Sequence, residues 1–169
     1  MPFSLKKQGS KIAHLNVREE KHGEDAVLAM DINISADVSN DFLDQLAPGL
    51  RAALYQKEGE KQGESADIEA GHLASLRYPQ LMPFEWKEEM VGAKVVIHGH
   101  SKAENIDLDG DVNKVKIACK EGGTVELTYR VQVLPTPEDS GRLAACLGKK
   151  VKVSVAPAPL SALPPTSTE

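Results

Sequence analysis

Val27-Leu28-Ala29-Met30-Asp31-Ile32-Asn33-Ile34-Ser35-Ala36-Asp37-Val38 decides the reading of the chain. Successive side chains of an extended backbone point to opposite faces, so Leu28, Met30, Ile32 and Ile34 share one side and Ala29, Asp31, Asn33 and Ser35 the other. A segment apolar on one face and polar on the other is a half-buried strand, which needs a sheet around it. Upstream, a short strand at about 12–18 leads into it through Lys21-His22-Gly23-Glu24-Asp25. Glycine and aspartate there suit a hairpin loop of a few residues.

Downstream, Ser39 is placed to cap a helix that opens with Asn40 and Asp41, and Leu43, Leu46, Ala47, Leu50 and Leu54 recur at helical spacing. That stripe packs on the sheet. Pro48-Gly49 breaks the run into a kinked helix or two short ones, because proline clashes with the carbonyl four residues back. Residues 56–70 are polar and nearly free of apolar side chains, the pattern of a mobile loop. Tyr78, Phe84 and Trp86 gather around Pro79 and Pro83, which favour extended backbone, and this stretch is expected to anchor the edge of the core.

Strands are then predicted at 93–98, 104–108, 113–119 and 124–133, the later pairs joined by the tight-turn dipeptides Asp109-Gly110 and Gly122-Gly123. Thr136-Pro137-Glu138-Asp139 starts a helix, since threonine accepts from first-turn amides and proline fits the first helical position. Gly148 ends it. Val151, Val153 and Val155 alternate as a last strand before a Pro/Ala/Ser/Thr-rich tail at 156–169, predicted to be disordered. The fold class is therefore α+β and β-rich: an antiparallel sheet, sandwich or barrel-like meander with two short helices packed on it, in one domain spanning 1–155.

Composition bounds the function. The chain has 169 residues, 41% hydrophobic and 27% charged, a globular composition able to bury a core without metals or disulfides. Cys119 and Cys146 lie far apart inside apolar patterns and read as reduced, buried thiols. The amino terminus lacks the apolar run of a signal peptide, and no segment has the length of a membrane span, so the expected compartment is the cytoplasm, with no membrane partner. Net charge is −5, unevenly spread: residues 1–111 hold 12 Lys+Arg against 20 Asp+Glu, whereas residues 112–155 hold 8 against 4. The later segment is locally basic.

Two constellations carry chemistry. His98-Gly99-His100 places two imidazoles on one side of a predicted strand, a spacing that lets both rings converge on one ion, but Lys94 shares that face and the sequence names no third ligand. His14, His22 and His72 are scattered and read as ordinary surface or turn residues. Asp107-Leu108-Asp109-Gly110-Asp111-Val112-Asn113 has the alternating oxygens of a calcium loop. Its glycine stands fourth rather than sixth, however, and Ala118 occupies the place of the bidentate glutamate, so it reads as a hairpin turn. The second constellation is a cationic ladder: Lys114, Lys116 and Lys120 on one side of a strand, Arg130 on the matching side of the next, and Lys150 and Lys152 extending it. Such a row can track a phosphate backbone. Tyr129, though, points inward with Leu127 and Val131, and aromatics make up only 4% of the chain, so the stacking of single-strand binders is missing and a solvated outer face is the plain alternative. Phosphate-loop, nucleophile-elbow and Cys-x-x-Cys signatures are absent, Cys119 is on the inward side with Val115 and Ile117, and no cofactor is expected.

The stretch Leu15 to Asp25, Arg77-Tyr78-Pro79 through Trp86, Glu121-Gly122-Gly123-Thr124-Val125 and Gly141-Arg142-Leu143 together resemble a family of small bacteriophage and prophage proteins encoded among DNA-metabolism and recombination genes. The likeness spans most of the chain and implies a context, with no activity and no catalytic residue attached. The expectation is a non-enzymatic binding protein that engages a host or phage protein, or itself as a homo-oligomer. The alternative is a single-stranded nucleic-acid-binding accessory of recombination that uses the six cations, and the second alternative is a metal-dependent activity at His98 and His100.

Overall fold

The computed structural model describes residues 2–57 and 73–159. Nearly all of the polar stretch read as a mobile loop, His72, and the tail from residue 160 onward lie outside the described residues. In chain order the elements are β1 (Leu5–His22), β2 (Asp25–Ser39), a 3-10 turn (Asn40–Phe42), α1 (Leu43–Leu46), α2 (Leu50–Leu54), β3 (Tyr55–Gln56), β4 (Ser75–Leu76), β5 (Phe84–Trp86), β6 (Met90–His98), a second 3-10 turn (Lys102–Glu104), β7 (Ile106–Cys119), β8 (Thr124–Val133), α3 (Pro137–Ala145) and β9 (Lys150–Ala156).

Six long strands close into an antiparallel barrel in the order β7-β6-β9-β1-β2-β8, with β8 pairing back onto β7. Alternation builds it. Ile32 and Ile34 face inward opposite Val131 and Tyr129, and Val95 opposite Leu108 and Val155, so every strand gives one row to a shared core. β5 flanks β7, and β3 with β4 forms a separate two-residue ladder.

Both ends are plugged. At the end where β2 stops, Ser39 accepts from the Asp41 amide at 3.3 Å and starts the helical segment, which Pro48-Gly49 divides into α1 and α2 as the sequence implied. Phe42, Leu43 and Leu46 enter the core there, and Phe3 packs edge-on against Phe42 and Tyr129 with ring centroids 5.2 and 5.9 Å apart. Tyr55 donates its hydroxyl to the Lys120 carbonyl at 2.8 Å, fastening the plug to the β7–β8 turn. At the other end Thr136 caps α3 by accepting from the Asp139 amide, Leu143 is fully buried, and Gly148 takes φ +77° while donating its amide to the Ile12 carbonyl.

Three expectations change. Asp109-Gly110 is no turn: β7 runs unbroken through it, and the β6–β7 connection lies at 99–105 instead. The reason is steric, because a Cβ on Gly110 would stand 2.4 Å from the Gln132 carbonyl oxygen and 2.6 Å from Val133 Cγ1. Here glycine marks the close approach of two barrel strands rather than a reversal. Second, β7 carries a bulge at Lys114, whose φ is +50°; it realigns the strand so that both Val112 and Val115 are buried. Third, only the later part of the aromatic stretch anchors the core. Phe84 and Trp86 pair with Ile117 and Val115, while Tyr78, Leu81 and Met82 stay exposed.

The first hairpin outgrows its predicted bounds. Its turn is Gly23-Glu24, with His22 opposite Asp25, and β1 begins at Leu5. β8 follows β2 only as far as Met30 and β9 follows β1 only as far as Lys11, so the outer hairpin projects as a two-stranded arm.

A cationic groove on β9 and β1

Closure of the barrel separates the six predicted cations. β9 lies between β6 and β1, two strands from β7 and three from β8. Lys150 and Lys152 therefore cannot extend the row formed by Lys114, Lys116 and Arg130, and the single ladder is corrected to two separate groups. Local alternation fixes which face a side chain takes but not which strands are neighbours. Lys120 is engaged with Glu126 at 3.1 Å and Asp37 at 3.5 Å, and those carboxylates hold its ammonium above the ordinary lysine range, the bond to Glu126 contributing most. Arg130 donates Nε to Asn113 Oδ1 at 2.8 Å.

Arg130 ends a polar chain over the outer wall. Asn113 donates to Gln132 at 2.8 Å, Gln132 to Asp31 Oδ1 at 3.2 Å, and Arg18 grips both Asp31 oxygens through Nε at 3.3 and 3.1 Å. Burial alone would raise the Asp31 carboxyl, but the bonds from Arg18 and Gln132 hold it below the usual carboxylate range. A depressed folded pKa contributes stability that is present above the unfolded value of about 3.9 and is lost as pH falls through the folded one. Asp31→Asn is expected to cost about 1–2 kcal/mol at pH 7, low for a charged hydrogen bond because of solvent screening at Arg18. The difference from the native protein shrinks below pH 4 in urea melts; a gap constant down to pH 2 would exclude a role for the Asp31 charge.

The second group lies in a concavity. Lys150 stands directly opposite Lys11 across the β9–β1 ladder, and Lys152 lies opposite Gly9 on one side and His98 on the other. All face outward, because Val151, Val153 and Val155 take the inward positions. A Cβ on Gly9 would meet nothing within 4 Å, so the floor is open there. The groove encloses about 1010 Å³, with Lys149 at its rim and Asp37 and Glu126 at its far wall, the two carboxylates bonded to Lys120. A smaller concavity of about 290 Å³ shares His98, His100 and Lys152 with it and adds Lys7 and Lys102. Among the described residues no carboxylate lies within ion-pairing distance of Lys7, Lys11, Lys149, Lys150 or Lys152.

His98 and His100 both border this groove, but not as a pair on one strand. β6 stops at His98; Gly99 turns against Glu104, whose Cβ would lie 2.4 Å from any Cβ placed there, and His100 belongs to the loop. Asn105 accepts from the Gly99 amide at 2.9 Å and Glu104 from the His100 amide at 2.8 Å, while Arg142 of α3 donates to the Glu104 carbonyl. His98 Nε2 lies 2.7 Å from Ser154 Oγ, which also accepts from the Lys7 amide at 2.9 Å and so holds the β1 bulge at Lys7, φ +43°. Among the described residues no three His, Cys, Asp or Glu side chains converge on a metal position. Burial pushes the Cys119 thiol up, away from the thiolate a nucleophile requires. Lys7, Gly9, Lys11, Lys149 and Ser154 escaped the sequence reading. The one local signal was Lys7, Gly9 and Lys11 at alternate positions, which gains meaning only once β1 lies beside β9.

Fold and site together define a closed antiparallel β-barrel bearing a cationic surface groove. Comparison with known protein families, with curated proteins and with solved structures finds no match.

Proposed function

We propose that the protein is a non-catalytic binding protein whose groove takes the phosphate backbone of single-stranded nucleic acid. One observation carries the reading: Lys11 and Lys150 directly oppose each other with no counter-ion among the described residues. Like charges placed directly across an antiparallel ladder destabilise it, so the barrel alone gains nothing from this pair, whereas a polyanion lying over both relieves the repulsion. Lysine ammonium groups act on phosphates as point charges without base readout. Among the described residues no Phe, Tyr or Trp lines the groove, so stacking of bases is limited to the imidazoles of His98 and His100 and the other contacts are to backbone. A lone phosphate would use one or two lysines. The two concavities meeting at His98 and Lys152 suit a strand that runs past several.

The test is fluorescence anisotropy with a labelled single-stranded oligonucleotide across a salt series. Neutralising about four phosphates at Lys11, Lys149, Lys150 and Lys152 predicts a slope of log K against log salt of about −3. Absence of binding at low salt, or binding indifferent to salt, rejects the reading.

A further inference from the structure

We propose that the β1–β2 arm of one copy docks in the lysine groove of a second copy, joining the chains head to tail. The arm, residues 17–28, carries Glu19, Glu20, Glu24 and Asp25 against Arg18 and Lys21. Arg18 spends its charge on Asp31 and Glu20, which leaves the surface the arm presents acidic. From His14 outward, the edge of β1 away from β2 has no strand partner among the described residues, and Val17 and Leu28 are 55% and 42% exposed on one face. A projecting, unpaired hairpin with apolar side chains on one face is a surface that a partner covers.

Charge complementarity selects the occupant: the groove around Lys11, Lys149, Lys150 and Lys152 is a basic concavity whose lysines lack counter-ions among the described residues, as do Glu19, Glu24 and Asp25 of the arm. Geometry makes the contact intermolecular. Lys11 and Gly23 lie on one continuous strand-and-turn, twelve residues or about 40 Å apart when extended, so the tip cannot fold back to its own groove. Arm and groove are different surfaces, hence the association is heterologous and propagates into a ring or a filament. The inference shares the groove with the nucleic-acid reading but does not rest on it.

Sedimentation velocity of the full chain at low and high salt tests it, with an arm variant (Glu19→Lys with Glu24→Lys) and a groove variant (Lys150→Glu with Lys152→Glu). The native protein is expected to associate at low salt and dissociate as salt rises, and each variant alone to weaken association by about tenfold or more. Mixing the two restores it, because a basic arm then meets an acidic groove and the native arm meets the native groove. A native protein monomeric at every salt concentration, or an association untouched by either reversal, overturns the proposal. Nucleic-acid binding is separable: the arm variant retains it if the groove reading holds, and rescue on mixing stands even if no oligonucleotide binds.

Discussion

Gly110→Ala is expected to destabilise the protein by about 3 kcal/mol or more, the upper range for overpacking a core, with the loss seen as a lower urea midpoint at unchanged m. The added methyl would lie 2.4 Å from the Gln132 carbonyl oxygen, a backbone atom, and 2.6 Å from Val133 Cγ1. Gln132 and Val133 pair with Asp111 and Gly110 at the β7–β8 seam, which closes the barrel, and Val133 pairs on its other side with Met30. To yield, β8 must leave β7 or press on β2, and a closed barrel has no free edge through which to relax. Gly9→Ala is the internal control: nothing lies within 4 Å of its added methyl, and its expected effect on stability is within about 0.5 kcal/mol. Equal midpoints for the two alanine variants would show that β7 and β8 do not approach each other as described.

The same glycine shows what can be read from sequence and what cannot. Asp-Gly between two alternating runs is a strong turn signal because each residue tolerates the backbone of a tight reversal, and at Gly122-Gly123 that reasoning places the β7–β8 turn correctly. At Asp109-Gly110 the glycine is selected instead by a neighbour 22 residues away, a contact that no local window contains. Faces were legible within each regular run: Ile32 and Ile34, Val115 and Ile117, and Leu127 and Tyr129 point inward as alternation requires, whereas the bulge at Lys114, which buries both Val112 and Val115, was not. Helix boundaries were legible where capping chemistry is local, at Ser39 and Thr136. Strand order was not, because β9 enters between β6 and β1 through pairings more than fifty residues apart in sequence. The groove inherits that difficulty. Charge marks Lys150 and Lys152 in the sequence, but only the β1–β9 pairing gives them their neighbours and sets Lys11 directly opposite Lys150.

Lys150 is where stability and binding are expected to move in opposite directions. Removing one member of the Lys11–Lys150 pair removes the cross-strand repulsion, so Lys150→Ala should raise stability by about 0.2–1 kcal/mol in the absence of ligand. The same change deletes one phosphate contact, and the salt slope for single-stranded nucleic acid should become shallower by about 0.7. Charge reversal goes further. Lys150→Glu sets a carboxylate across from Lys11, exchanging repulsion for an opposite-charge pair, and with Lys152→Glu it turns the groove from attracting a phosphate backbone to repelling it, for an expected loss of about 100-fold or more in affinity at low salt. A merely solvated face predicts otherwise: the stability changes could occur, but binding would be absent before and after. Lysines held in place by the fold predict a third outcome, with stability falling in Lys150→Ala. Only a site retained for a ligand at some cost to the empty barrel couples a more stable variant to a weaker binder. Thermal melts and salt-series anisotropy on Lys150→Ala, Lys11→Ala and the double reversal decide between the three, and a destabilised Lys150→Ala that binds like the native protein would end the case for the groove.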